Sequence, residues 1–295
     1  MRDFTTPTDR LILGAFVLSI LLVGALIAVP VLHAVELSFY KAESFISARQ
    51  WVGLANYTRV LADPAFWHAF ALGLGFALIA MGLQLLLGIG FAQLLNLPLR
   101  GRAFVRGAVV LPYLLPTVVI AVTTHWLLDG AYGLFTVWAQ QLGFGRPAWY
   151  DHPVSAALLI IIASVWTWTP FVTITFLAGL QSIPASLYEA ARVDGAGAWK
   201  RFWHVTLPML KPVLLVVVLL RSIWMFNKFD IVWLLTKGGP LGATEHLPIL
   251  SYRKAFNQFD VGGGAAVATL SFLVLSVMIA IYFWYFPLDE KGAEK

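Results

Sequence analysis

Two sets of side chains at helical spacing carry the chemistry open to this sequence. Ser164, Thr167, Trp168 and Phe171 recur at i, i+3, i+4 and i+7, and Arg221, Trp224, Met225 and Lys228 repeat that pattern. Each set places aromatic rings beside hydroxyl or cationic groups on one helix face. Such a face suits a small polar ligand that must be oriented and then released. It does not suit acid–base or nucleophilic catalysis, which needs His, Asp, Glu or Ser gathered together. His125 and His204 lack metal spacing, and packing or hydrogen bonding accounts for each. Without cysteine there is no disulfide framework, Cys-ligated zinc, iron–sulfur cluster or thiol nucleophile. Helix packing remains the alternative for the first face, because Ser and Thr are common at membrane helix interfaces and bond to the preceding turn. Pro170 adds to the ligand reading by freeing a carbonyl near Trp166.

The elements that must position these faces are membrane spans. The chain is 60% hydrophobic and 12% charged, against about 45–50% apolar for a soluble domain. Its mean hydropathy is +0.80. A span needs about 20 mostly apolar residues, and uncharged runs of that kind cover about 11–35, 66–95, 107–128, 154–180 and 262–286. A sixth run, 213–235, carries Arg221, Lys228 and Asp230. The start contains Asp3, Pro7 and Asp9 and lacks a small-residue cleavage site, so the first run reads as a retained helix. The expectation is an all-α polytopic membrane protein with six transmembrane helices.

Six spans put both termini on one side. With the N-terminus inside, eleven of the twenty Lys and Arg residues fall in internal segments and seven in external loops. The positive-inside rule therefore favours cytoplasmic N- and C-termini, 1–10 and 291–295, and a cytoplasmic segment at 181–212. The net charge of +5 is a topology signal in short loops, with no basic face for nucleic acid. Counting about 1.5 Å per residue from Pro212, Arg221 lies roughly 14 Å into its span and Lys228 roughly 24 Å. Arg221 is thus near mid-bilayer, where a charge faces a cavity or a partner. Lys228 is free to snorkel outward, and Asp230, two residues on, would not share its helical face.

The 181–212 segment is amphipathic. Pro184 suits a first helical turn, and Ser186 with Glu189 has capping-box spacing. Asp194-Gly195 would break the helix, and a second helix over roughly 196–205 would end before Pro208. Leu187, Ala190 and Ala191 share one face, and Trp199, Phe202 and Trp203 another. Two readings stay open: a helix pair lying on lipid headgroups, or a docking surface where small residues admit a partner closely and Glu189 offers a carboxylate to an arginine.

Glu189-Ala190-Ala191, Asp194-Gly195-Ala196, Phe202, Leu207-Pro208 and Pro212 resemble the EAA motif of ATP-binding-cassette importer permeases. Gly53-Leu54-Ala55-Asn56-Tyr57, Phe229-Asp230 and Leu235-Thr236-Lys237-Gly238-Gly239-Pro240 are similar to the carbohydrate-uptake branch, its MalF/UgpA-like subunits. Val205 departs mildly from the motif's usual isoleucine. The extra N-terminal helices and large external domain of the maltose-type member are lacking. The resemblance implies the MetI/MalF-like permease fold over 11–290, with the 181–212 EAA loop seated in a cleft of a separate ATPase. Glu189, Ala190, Ala191, Asp194 and Gly195 then carry the coupling. It places sugar-contacting positions on Ser164, Thr167, Trp168, Phe171, Trp224, Met225 and Lys228. Because similar sugar permeases usually carry an arginine like Arg221, the resemblance argues for a gating or structural role for Arg221 over an anion site, and Asp230 is a further gating or structural candidate. The implied partners are a second MalG-like permease, an ATPase dimer, an extracytoplasmic substrate-binding protein, a carbohydrate and the bilayer of a bacterial inner membrane.

No GxxxxGK[ST] loop occurs, so ATP and Mg would be bound by the partner ATPase, and this chain would be no enzyme and need no cofactor. The competing reading is an ion-coupled secondary transporter, which would carry more spans and acidic residues within them. A membrane-embedded enzyme would need a polar cluster that the sequence does not contain.

Overall fold

The computed structural model describes residues 7–44, 46, 48–98 and 100–287. The expected N-terminal segment before residue 7 and the tail at 291–295 lie outside the described residues. Five described helical segments are long and apolar enough to cross a bilayer, and one bent pair makes a sixth. The chain divides into two compact units, 1–64 with 250–273 and 65–249 with 274–295.

In the first unit, α1 (Pro7–Leu37) leads into a short antiparallel ribbon of β1 (Tyr40–Lys41) and β2 (Gln50–Trp51), then α2 (Ala55–Ala62). Residues 11–33 of α1 are exposed throughout, as expected of a span whose surroundings are lipid or protein outside this chain. The Gly53–Tyr57 motif closes the unit: Asn56 Nδ2 donates to the Ser38 and Tyr40 carbonyls at 2.8 and 2.9 Å. Arg59 pairs with Asp260 at 2.9 Å and Lys254 with Asp63 at 3.0 Å. The glycines opening α14 (Val261–Tyr285) allow this approach, since a Cβ on Gly264 would lie 2.7 Å from the Ala255 Cβ.

The second unit is built around α7 (Pro153–Ser182). A stripe of small residues on α3 (Pro64–Asn96), from Ala69 through Gly73, Ala77, Ala80 and Gly88 to Ala92, is buried. Small residues let apolar helices approach where no hydrophobic effect drives them together. Val172 of α7 fills the space at Gly88, and Leu210 and Val213 fill that at Gly179. One cluster joins Ala92, Leu95, Phe176, Leu180 and Val217. A second joins Ile120, Ile160, Ile231, Leu235 and Ile249.

Three expected segments differ in detail from the expectation. The 107–128 span is two helices, α4 (Arg102–Leu114) and α5 (Thr117–Leu127), bent by 95°. Pro116 disfavours helical geometry at the residue before it, and Leu115 is extended at φ −80°, ψ 135°. The 213–235 span holds as one crossing, Lys211–Thr236, but with a step inside it: α11 (Lys211–Phe226) and α12 (Asp230–Thr236) are separated by the three non-helical residues 227–229. Between α5 and α7 lies the short α6 (Leu134–Gln141).

The third difference concerns the segment after α7. There α8 (Ala185–Val193) ends at a turn where Gly195 has φ 73°, the left-handed geometry glycine supplies. Pro184 occupies the N-cap without a side-chain cap, so the Ser186–Glu189 capping box does not form. Helix does not stop before Pro208. It runs from α9 (Ala198–Arg201) through a π-helical turn, Phe202–Thr206, into α10 (Leu207–Met209). The wider turn carries the chain past a proline whose ring would clash with the carbonyl four residues earlier.

Candidate functional site

Two regions stand apart from the packing core. The first is the α8 to α10 segment, where α8 buries no residue. It is fixed at its base by Tyr188, whose hydroxyl bonds Thr206 Oγ1 at 3.0 Å and whose ring packs on the Phe176 and Leu180 cluster. Beyond that anchor, Glu189 and Ala190 are exposed, and Glu189 has no hydrogen-bond or ion-pair partner among the described residues. Trp199, Phe202 and Trp203 form one aromatic group with centroids 5.4 to 6.1 Å apart, and Trp199 is 73% exposed. The segment presents a carboxylate, small residues and bare aromatic surface together, and the geometry suits the docking of another molecule.

The second region is a cleft of about 520 Å³ at the α11–α12 break, lined by Tyr113, Trp168, Trp224, Met225, Asn227, Lys228 and Asp230 among others. Its wall is a chain of rings: Trp168 meets Tyr113 edge-on at 5.5 Å, and Phe171 meets Trp224 at 5.3 Å. Phe171 is therefore a buttress behind the lining. Lys228 does not snorkel outward. Its Nζ sits 4.2 Å from the Trp168 ring centroid and 2.8 Å from Asp230 Oδ1. The two residues share a face because the backbone between them is not helical, so the spacing rule that separated them does not apply.

Arg221 lies beneath this wall with no exposed surface. Its Nε donates to Gln84 Oε1 at 2.8 Å and its Nη2 to Met225 Sδ at 3.4 Å, while Nη1 has no partner. The rings of Trp168, Trp224 and Phe171 stand 5.4, 5.6 and 6.0 Å from its Cζ. Ring faces substitute for part of the water the cation has lost. Ser164 and Thr167 are brought to the same layer but not into the cleft. The Thr167 hydroxyl donates to the Ala163 carbonyl at 2.6 Å, and Ser164 is enclosed beside Gln84, whose Nε2 donates to its carbonyl at 3.3 Å.

Sequence reasoning missed Gln84, Tyr113, Asn227 and His246. The buried His246 ring hydrogen-bonds the Lys228 carbonyl, fixing the backbone where the helix breaks, and burial holds its imidazole below the usual range. Gln84 was detectable as a side-chain amide deep inside an apolar run. Thr236 and Thr244 hydroxyls share a bond of 2.7 Å that closes the Gly238–Gly239 loop after α12. Of the histidines set aside earlier, His125 stacks on Tyr150 and bonds the Leu234 carbonyl, and His204 bonds the Lys200 carbonyl. No three metal-ligating side chains converge among the described residues.

A helical membrane bundle with an uncovered amphipathic segment and a polar, aromatic-walled cleft at a broken span fits a transport permease. Residues 84–290 match the family described as the binding-protein-dependent transport system inner membrane component, and the chain belongs to that family. It is 40% identical over 256 residues to the trehalose/maltose transport system permease protein MalF of Thermococcus litoralis, covering 87% of this chain and 86% of that one. Identity to the sulfoquinovosyl glycerol transport system permease protein SmoG of Agrobacterium fabrum is 34% over 264 residues, with 89% and 85% covered. The fold superposes with a TM-score of 0.81 on a bacterial ABC transporter involved in importing the acidic polysaccharide alginate, at 20% identity over 98% of both chains. The chain is a membrane-spanning permease component of an ABC importer, and the ion-coupled carrier reading falls away.

Proposed function

We propose that this permease passes a sugar or sugar derivative, an oligosaccharide, glycoside or polyol, through the cleft beside Trp168. The observation that carries this is the lining itself: Trp168, Trp224 and Tyr113 offer ring faces for the apolar side of a pyranose, and Asn227 and the Lys228–Asp230 pair offer polar groups for its hydroxyls. Met225 and Phe171 shape that wall, Ser164 and Thr167 pack behind it, and Arg221 and Asp230 hold its geometry. The relatives named for trehalose/maltose and sulfoquinovosyl glycerol transport support the class.

In this reading the 181–212 loop faces the cytoplasm with both termini, and a separate ATPase dimer receives it. Glu189 meets a basic residue there, and Ala190, Ala191, Asp194 and Gly195 permit close seating. ATP and Mg stay with that partner, and this subunit needs no cofactor. A second MalG-like permease completes the pore, and an extracytoplasmic binding protein delivers the sugar. ATP-driven closure then swaps the side to which the cleft opens.

The test is uptake by the co-expressed transporter in proteoliposomes. Sugars, polyols and glycosides are first ranked by the thermal shift each gives the cognate binding protein. ATP-dependent uptake of the best ligand is expected. Uptake driven by an ion gradient without ATP sinks the reading.

A further inference from the structure

We propose that a groove between α3, α4 and α7 holds an acyl chain of an anionic phospholipid whose phosphate is bound by Arg102 and Arg106. The groove encloses about 600 Å³, lies apart from the sugar cleft, and is walled by Leu87, Phe91, Val109, Pro112, Ile162 and Trp166 among others. Along α7 its lining runs from Ile161 to Pro170, about 14 Å at the helical rise. Exposed apolar surface alone is ordinary for a membrane chain. A concave apolar slot flanked at one end by two arginines is not.

The cations are the second observation. The groove's α4 lining is Val105, Ala108, Val109 and Pro112, and Arg102, one turn before Val105, and Arg106, beside it, flank that lined face at the N-terminal end of α4. With its amide turned to satisfy both, Gln181 places its side-chain oxygen to accept from Arg106 Nη2 at 3.1 Å and from Arg102 Nη2 at 3.3 Å. Two like charges thus converge on one neutral oxygen, and no carboxylate pairs with either among the described residues. Both Nε atoms are buried without an acceptor. A guanidinium carries five N–H donors, so the pair offers far more donors than the protein supplies acceptors. A phosphate supplies the oxygens and the negative charge, and basic pockets between membrane helices take acidic headgroups for this reason.

The lipid site stands apart from the substrate and coupling readings, because it holds whichever leaflet meets Arg102. It is tested by native mass spectrometry of the full-length chain and of the assembled transporter, titrated with palmitoyl-oleoyl phosphatidylglycerol, its phosphatidylcholine analogue, and glycerol phosphate. A retained phosphatidylglycerol adduct is expected, with phosphatidylcholine much weaker and glycerol phosphate absent. Arg102→Gln with Arg106→Gln should weaken phosphatidylglycerol binding about thirtyfold, and the double Lys variant should restore most of it. Ala108→Trp keeps both arginines and fills the groove, so it should also abolish the adduct. Unchanged binding in either variant overturns the assignment, as does equal retention of glycerol phosphate, which would mark a free-anion site. So does an assembled transporter that retains no lipid and in which Ala108→Cys cross-links to another subunit.

Discussion

The Arg221 guanidinium on α11 is held by the Gln84 side-chain amide on α3, Nε to Oε1 at 2.8 Å, and neither residue is exposed. A buried cation therefore has a neutral amide as its polar partner, helped by three ring faces. Removing the amide leaves a charge stranded, whereas removing the charge leaves only an amide to satisfy. Stranding costs more, because an unpaired buried ion loses its whole hydration without replacement. Gln84→Leu should lower stability in detergent by about 3 kcal/mol, and Arg221→Met by less. Thermal unfolding of the two variants decides this, and the reverse order would contradict the account.

The cleft makes a different demand on Trp168, whose ring both faces the cavity and carries the Lys228 ammonium. Trp168→Ala should reduce substrate-stimulated ATP turnover of the assembled transporter by about five- to thirtyfold while basal turnover stays within about twofold, since lost stacking is worth about 1–2 kcal/mol. Trp168→Phe should recover part of the stimulation. Equal loss of basal and stimulated rates would mean misfolding.

Two glycines on α3, two residues apart, should respond oppositely. A Cβ on Gly88 would lie 2.7 Å from the Val172 Cβ, whereas at Gly90 nothing stands within 4 Å. Gly88→Ala should destabilise the chain by about 1–3 kcal/mol through overpacking. Gly90→Ala should be neutral or slightly stabilising, because alanine is the better helix former by about 1 kcal/mol. Melting temperatures of the pair measure it.

What the sequence made legible was local. Apolar runs marked the spans, and Asp194-Gly195 marked the turn because a left-handed residue needs glycine. Arg221 was conspicuous because charge in a span is costly. Gln84 was overlooked because counting charges does not count amides, and its pairing with Arg221 joins residues 137 apart. The Lys228–Asp230 pair depended on a helix break at Asn227 that His246 stabilises from a distant loop. Pro116 did carry its signal, but high hydropathy across 107–128 masked it. Hydropathy reports burial in lipid and says nothing of whether a helix continues.

Glu189 allows coupling to be separated from folding. It is on the surface of α8, has no partner among the described residues, and contributes nothing to the Tyr188 anchor. Surface substitutions of that kind change stability by within about 0.5 kcal/mol. Glu189→Lys should therefore leave expression, membrane insertion and melting temperature of the chain unchanged. If its carboxylate meets a basic group on the ATPase, the same change sets like charges against each other at an interface. Such a reversal costs several kcal/mol of association. Copurification of the ATPase and substrate-stimulated hydrolysis should both fall at least about tenfold, with Glu189→Gln intermediate. A compensating Glu or Asp on the ATPase should restore the pair in the Lys variant. Unchanged uptake and hydrolysis in Glu189→Lys would remove α8 from the path of energy transfer.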